Sequence, residues 1–176
     1  MKSSSRIYLT GFMGSGKSTL GKRLAAALGY AFIDLDPVIE MRLGHSIPEV
    51  FSGGGERAFR KAEREELQNT FSLRSVVVAV GGGALATQNQ MDAALRNGVV
   101  VYLEARAETL RQRLRGTEDS RPLLKRHTDF EELLTARRPV YERADIILNV
   151  DELDVQEAAE ALRVAVRANE GGGDSG

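Results

Sequence analysis

The chain has 176 residues, 42% of them apolar and 28% charged, with a formal net charge of −1 and a pI near 6.2. That length suits one domain with a real core, and the near-neutral charge argues against a general nucleic-acid or membrane-surface binder. There is no cysteine, which excludes a disulfide framework, a thiolate metal site and a cysteine nucleophile. No apolar run reaches transmembrane length, and Met1 to Ser5 carry no signal-peptide core, so the expected location is the cytoplasm.

Arg6 to Thr10 reads as a first strand, closed by Gly11. Lys17 to Leu28 reads as a helix with Leu20, Leu24, Ala25 and Leu28 on one face and Gly29 as its stop. Ala31 to Asp34 is a second strand, so the chain begins as a βαβ unit of a parallel sheet. Asp34-Leu35-Asp36 ends that strand, and Pro37 is expected to open a helix as its first residue. The alternation of side chains along a strand then puts Asp34 and Asp36 on one face.

Ser46-Ile47-Pro48-Glu49 has the form of a capping box for a short helix that stops at Ser52-Gly53-Gly54-Gly55. Glu56 to about Thr70 is a longer charged helix, and residues 37–70 together form a helical insertion. Ser75 to Val80 is the most apolar stretch, as a parallel strand buried on both faces should be, and it runs into Gly81-Gly82-Gly83. A helix over Gln88 to Arg96, a strand over Val99 to Leu103 and a helix over Ala107 to Leu114 follow.

Residues of about 115–128 break the pattern and read as a mobile loop. Thr128 and Glu131 cap a helix to about Arg143, with Pro139 expected to bend or interrupt it. Ile146 to Leu148 is a last strand, and a helix from Asp154 to Arg167 opens on a second capping box, Asp154 with Glu157. Residues 1–168 thus form one domain, and 169–176 are expected to be a disordered tail.

Gly11-Phe12-Met13-Gly14-Ser15-Gly16-Lys17-Ser18 fits G-x-x-x-x-G-K-[ST], set between a strand and a helix as a phosphate-binding P-loop requires. Its glycines let backbone N–H groups curl inward around phosphate oxygens. Lys17 can reach the β- and γ-phosphates, Ser18 can ligate Mg²⁺, and the helix presents its positive end. An Asn-Lys-x-Asp guanine reader is missing. The buried run Val76 to Val80 ends in glycines rather than the acid with which most P-loop ATPases hold their metal. Ser18 and one acid of Asp34-Leu35-Asp36 are the nearest replacements, an economy that suits a small kinase.

These motifs resemble the shikimate kinase family. The resemblance rests on the P-loop, Asp34-Leu35-Asp36, Glu56-Arg57-Ala58-Phe59-Arg60, Gly81-Gly82-Gly83, Ser120-Arg121-Pro122-Leu123-Leu124 and Arg137-Arg138-Pro139-Val140-Tyr141, in that order, across the chain to about residue 150. It implies a three-layer α/β/α P-loop kinase fold with a five-stranded parallel sheet, the insertion at 37–70 for substrate and a lid at about 115–128. The implied reaction moves the γ-phosphoryl group of ATP to the 3-hydroxyl of shikimate, with Mg²⁺; nothing in the sequence demands more than a monomer.

By the same resemblance Gly14, Ser15, Gly16, Lys17, Ser18 and Thr19 bind ATP, and Ser18 and Asp34 support the metal. Asp36, Arg60, Gly81, Gly82, Gly83 and Arg137 bind shikimate. Lys17, Asp36 and the lid's Arg121 act in catalysis, Arg121 also on the phosphates. A planar, permanently charged guanidinium suits the substrate carboxylate. Arg137 is preferred to Arg138 because the family places this arginine two positions before the proline.

Several points stay open in the residues alone. Asp36 could be a plain helix cap before Pro37. The three glycines could serve a positive-φ turn or a close approach of substrate to backbone. The adenine partner could be Arg113 or Arg115. His45 and His127 are isolated and carry no assigned role. The competing readings are a gluconate-kinase-like sugar-acid kinase and a P-loop binding module without catalysis; the latter would be favoured by loss of Lys17, Ser18, Asp34 or Asp36, and all four are present.

Overall fold

The computed structural model describes residues 5–115 and 130–171. Arg121, His127 and the cap at Thr128 therefore lie outside the described residues, as does most of the expected lid. Five parallel strands form one sheet in the order β2-β3-β1-β4-β5: β1 Arg6–Thr10, β2 Ala31–Asp34, β3 Val76–Ala79, β4 Val99–Glu104 and β5 Ile146–Asn149. The helices are α1 Lys17–Leu28, α2 Leu35–Leu43, α3 Ile47–Ser52, α4 Glu56–Asn69, α5 Gln88–Asn97, α6 Ala107–Leu114, α7 Phe130–Tyr141 and α8 Val155–Gly171.

Strand alternation builds a core on each face of the sheet. Ile7, Leu9, Val77, Val99, Val101 and Leu103 point to one face, where Leu20 and Leu24 of α1, Leu110 of α6 and Leu162 and Val166 of α8 cover them. Tyr8, Val76, Val78 and Val100 point to the other, beneath Leu35, Ile39, Phe59, Leu67 and Met91 of α2, α4 and α5. The expected three-layer arrangement follows from that division. Among the described residues no helix is long and apolar enough to cross a membrane.

Register aligns the ends that matter. Leu9 pairs with Ala79, and Ala79 with Asp34, so the P-loop, the glycine run and the Asp34–Asp36 turn emerge side by side, with neighbouring strands about 5 Å apart. β1 has β3 on one side and β4 on the other. Its P-loop thus opens at the point where the chain order reverses, the place where open α/β sheets bind ligands.

Three local expectations change. α2 begins at Leu35, not Pro37, because the Asp34 carboxylate is the cap, accepting from the Asp36 N–H at 3.2 Å. Pro37 still falls within the first turn, where N–H groups have no intrahelical partner. α7 runs through Pro139 to Tyr141; so near the helix end the proline costs one late carbonyl its partner and leaves the chain path helical. α8 continues to Gly171, past the boundary expected at residue 168. Residues 172–176 lie outside the described residues. Both foreseen capping boxes form, Ser46 with Glu49 and Asp154 with Glu157.

Candidate active site

The phosphate side is built by backbone conformation. Gly14 and Gly16 have φ of 82° and 95°, a left-handed region that costs glycine no steric strain. With those turns made, the loop wraps a cavity of about 370 Å³ lined by Gly14, Gly16, Lys17, Ser18 and Thr19 at the start of α1. Lys17 Nζ donates to the carbonyl oxygens of Gly11 and Phe12 at 3.0 and 3.1 Å, which folds its long side chain back over the loop. The Ser18 hydroxyl donates to Asp34 Oδ2.

Ser18 and Asp34 thus form an oxygen pair at the cavity wall, and no cluster of three metal-ligating residues exists among the described residues. This donor set fits Mg²⁺, which keeps several waters and takes one or two protein oxygens beside phosphate.

A second cavity, about 560 Å³, adjoins the first and shares Met13, Asp34, Asp36, Gly81 and Gly82 with it. Four chain segments build its polar side. Asp36 comes from the first turn of α2, Arg60 and Glu63 from α4, the glycines from the end of β3, and Arg137 from α7. Ile47, Pro48, Phe51 and Phe59 of the insertion make an apolar wall. The insertion is braced from outside by Arg42, whose guanidinium bridges α2 to Glu65 and Glu66 of α4.

The two arginines differ. Arg60 Nη1 pairs with Glu63 Oε2 at 2.9 Å and its guanidinium lies 5.2 Å from the Phe59 ring centroid. Arg137 is 7% exposed, stands over the Phe12 ring, and its Nη1 is buried without a hydrogen-bond partner. A buried, unsatisfied guanidinium nitrogen beside a cavity is a strong anchor for an incoming anion, because leaving it bare carries the full desolvation cost. Arg138 is only partly buried and lines neither cavity.

Glu63 is 1% exposed. Burial pushes its carboxyl above the usual range and the nearby Asp36 adds to the rise, while Arg60 and Arg137 oppose it.

The glycine run is not a left-handed turn, and what approaches it closely here is the protein's own charged side chains. None of its three residues has positive φ. A Cβ at Gly81 would stand 3.0 Å from Asp36 Oδ1 and 3.2 Å from Glu63 Oε1; one at Gly82, 3.2 Å from Arg137 Nη1; and one at Gly83, 2.4 Å from Arg60 Nη1. Each glycine is therefore the floor on which one of the cavity's charged groups rests.

Asp34 and Asp36 do face one crevice, but not by strand alternation. β2 ends at Asp34, and the cap bond turns the chain so that Asp36 enters from a helix.

Arg113 donates to the carbonyls of Gly14 and Val150 at 3.2 and 3.4 Å. It lines both the phosphate cavity and a further one of about 230 Å³ formed with Leu153, Asp154 and Val155. Arg115 is exposed at the end of α6 and lines neither. His45 is exposed and lines none of the three cavities.

Sequence reasoning passed over Glu63, although an acid three residues after Arg60 on a helix is a ready ion-pair signal. Tyr141 closes the Arg137-Arg138-Pro139-Val140-Tyr141 motif, and nothing in the sequence marks a task for its phenol.

The family model described as shikimate kinase matches residues 13–166. A shikimate kinase from Salinibacter ruber is 44% identical over 157 residues, covering 83% of this chain and 77% of that protein. One from Chlorobium chlorochromatii is 41% identical over 172 residues, covering 92% and 90%. The structure of shikimate kinase from Acinetobacter baumannii in complex with shikimate is similar at a TM-score of 0.87 and 32% identity, covering 96% of each chain. A gluconokinase from Sinorhizobium meliloti reaches a TM-score of 0.60 at 18% identity, which is likeness of fold alone.

Proposed function

The chain belongs to the shikimate kinase family, and from that premise we propose how its residues transfer the γ-phosphoryl group of ATP to the 3-hydroxyl of shikimate. The observation that carries this reading is the sharing of Asp36 by the phosphate cavity and the larger one. A group at that boundary meets both the attacking oxygen and the phosphorus it attacks.

ATP lies with its phosphates on the Gly14–Thr19 backbone, and Lys17 leaves its resting carbonyls for the β- and γ-oxygens. Arg113, which lines both the phosphate cavity and the one of about 230 Å³, is assigned to the adenine. Ser18 and Asp34 would hold Mg²⁺, which would supply charge neutralisation to the transferring phosphate.

Shikimate is a carboxylate bearing three hydroxyls. Its carboxylate satisfies Arg137 Nη1 and the Arg60 guanidinium, a match of charge and planar geometry. Its ring lies on the Phe51 and Phe59 wall, and its 3-hydroxyl reaches Asp36. Asp36 accepts the hydroxyl proton as the oxygen attacks the γ-phosphorus in line, ADP leaves, and shikimate 3-phosphate forms. Arg121, which the family resemblance assigns to the phosphates, lies outside the described residues. Every assigned group comes from one chain, so this reading requires no second subunit.

The test is ADP release from ATP and Mg²⁺ with shikimate, quinate, gluconate and nucleoside monophosphates as acceptors. Turnover with shikimate well above the others is expected. Turnover with gluconate and not shikimate would replace this reading with the sugar-acid kinase.

A further inference from the structure

Tyr141 is fully buried and has no part in the reaction above, yet its hydroxyl donates to the carbonyl oxygen of Gly82. It follows Arg137 by one turn of α7, so the two side chains share a face, and Arg137 Nη1 would lie 3.2 Å from a Cβ at Gly82. One turn of helix therefore grips one glycine twice, at its backbone carbonyl and over its missing side chain. The ring itself is held against Tyr102 of β4, centroids 5.1 Å apart and planes at 37°. Tyr102 pairs with Thr10 at the end of β1, and Gly82 follows β3 on the other side of β1. Tyr141 thus ties together two strand ends that share no hydrogen bond.

A trans peptide points its carbonyl and its N–H in opposite directions, and the described chain has no cis peptide. Holding the Gly82 carbonyl on Tyr141 consequently turns the Gly83 N–H away from α7. Between two glycines no side chain opposes rotation of that peptide plane, so the phenol supplies the restraint that the sequence around it lacks. A hydrogen bond accepted by the carbonyl also polarises the N–H of the same peptide.

We propose that Tyr141 is a positioning residue of the acceptor site, setting the Gly82–Gly83 peptide and holding it against Arg137 before shikimate arrives. The proposal rests on the assignment of the larger cavity to shikimate.

Tyr141→Phe keeps the ring and its stack while removing the donor. Tyr102→Phe removes the other hydroxyl of the stacked pair and serves as the control. Steady-state kinetics should show KM for shikimate about tenfold higher in Tyr141→Phe, equivalent to about 1.4 kcal/mol, with kcat and KM for ATP within about twofold of wild type. Tyr102→Phe should leave both KM values within the same margin. An unchanged KM for shikimate, a matching rise for ATP, or the same change in both variants would overturn the proposal.

If Tyr141→Phe is too unstable to assay, ligand-induced melting shifts read the same split. The shift with shikimate should shrink and that with ATP persist; loss of both overturns the proposal. Absence of shikimate turnover in the wild-type protein removes the acceptor reading and this proposal together, whereas a normal wild type with an unsplit variant removes this proposal alone.

Discussion

The phosphate cavity draws Gly14 to Thr19 from one unbroken stretch, and its shape comes from left-handed glycines and a helix end. The acceptor cavity beside it takes its charges from residues 34–36, 60–63 and 137 and its floor from 81–83, with α4, β3 and α7 each bringing a piece. The loop that forms the first is a property of local backbone, although Asp34, Asp36, Gly81, Gly82 and Arg113 complete its wall. The second exists only because the sheet register and the helix packing bring distant side chains to the same few ångströms. Damage to the two regions should therefore separate cleanly by substrate, and the boundary residue Asp36 should belong to both.

That boundary gives the largest expected effect. Asp36→Asn keeps the size of the side chain and abolishes its basicity, so kcat should fall by about 10²–10³-fold, the scale of general-base catalysis. Nucleotide affinity, read by titration calorimetry, should stay near wild type. A kcat within threefold of wild type would remove Asp36 from proton transfer.

Arg137→Ala should raise KM for shikimate about 100-fold and KM for ATP less than threefold, since the lost contact is charge-assisted and desolvated. Equal loss for both substrates would break the division between the cavities. Arg60→Ala should add a stability cost that Arg137→Ala lacks, because it strips the buried Glu63 of its ion-pair partner.

Arg113→Ala is the mirror experiment. KM for ATP should rise about tenfold and KM for shikimate should hold, the scale of losing a stacking or cationic contact to a base. A larger effect on shikimate would mean that Arg113 acts through the P-loop carbonyl it binds at Gly14.

The smallest effect concerns pH. Glu63 titrates above its ordinary value of 4.5 in the folded protein, burial being the main cause. The folded state thus holds this proton more tightly than the unfolded chain does. Its contribution to stability is fully present below pH 4.5 and is lost as pH rises through the raised folded value. Denaturant unfolding across that range should show the decline, and Glu63→Gln should flatten it; an unaltered slope in the variant would assign the decline to other groups.

Legibility in the sequence follows the same division. The P-loop, both capping boxes, α1 and the strands were readable because each is decided within about ten residues by spacing and backbone preference. Asp36, Arg60 and Arg137 could be named only through resemblance, since an arginine on a charged helix looks the same whether it faces water or a substrate cavity. Glu63 was missed for that reason: in sequence it is one more acid on α4, and only packing shows it to be 1% exposed. Arg113 and Arg115 also part only in the fold: Arg113 lies on α6 with its guanidinium on the Gly14 carbonyl, whereas Arg115 follows the helix end in non-helical backbone and is exposed.

By itself, then, the sequence determined a nucleotide loop, a parallel sheet with its helices, and through six ordered motifs the family to which they belong. These are local and repetitive features, governed by φ preferences, side-chain periodicity and caps. Tertiary structure decided the acceptor side: that the cap at Asp34, rather than strand alternation, delivers Asp36; that three glycines serve as floors for Asp36, Glu63, Arg137 and Arg60 rather than as a left-handed turn; and that Tyr141 reaches the Gly82 carbonyl. Each of these depends on which atoms occupy the space beside a residue, and that is fixed only when segments far apart in the chain have packed.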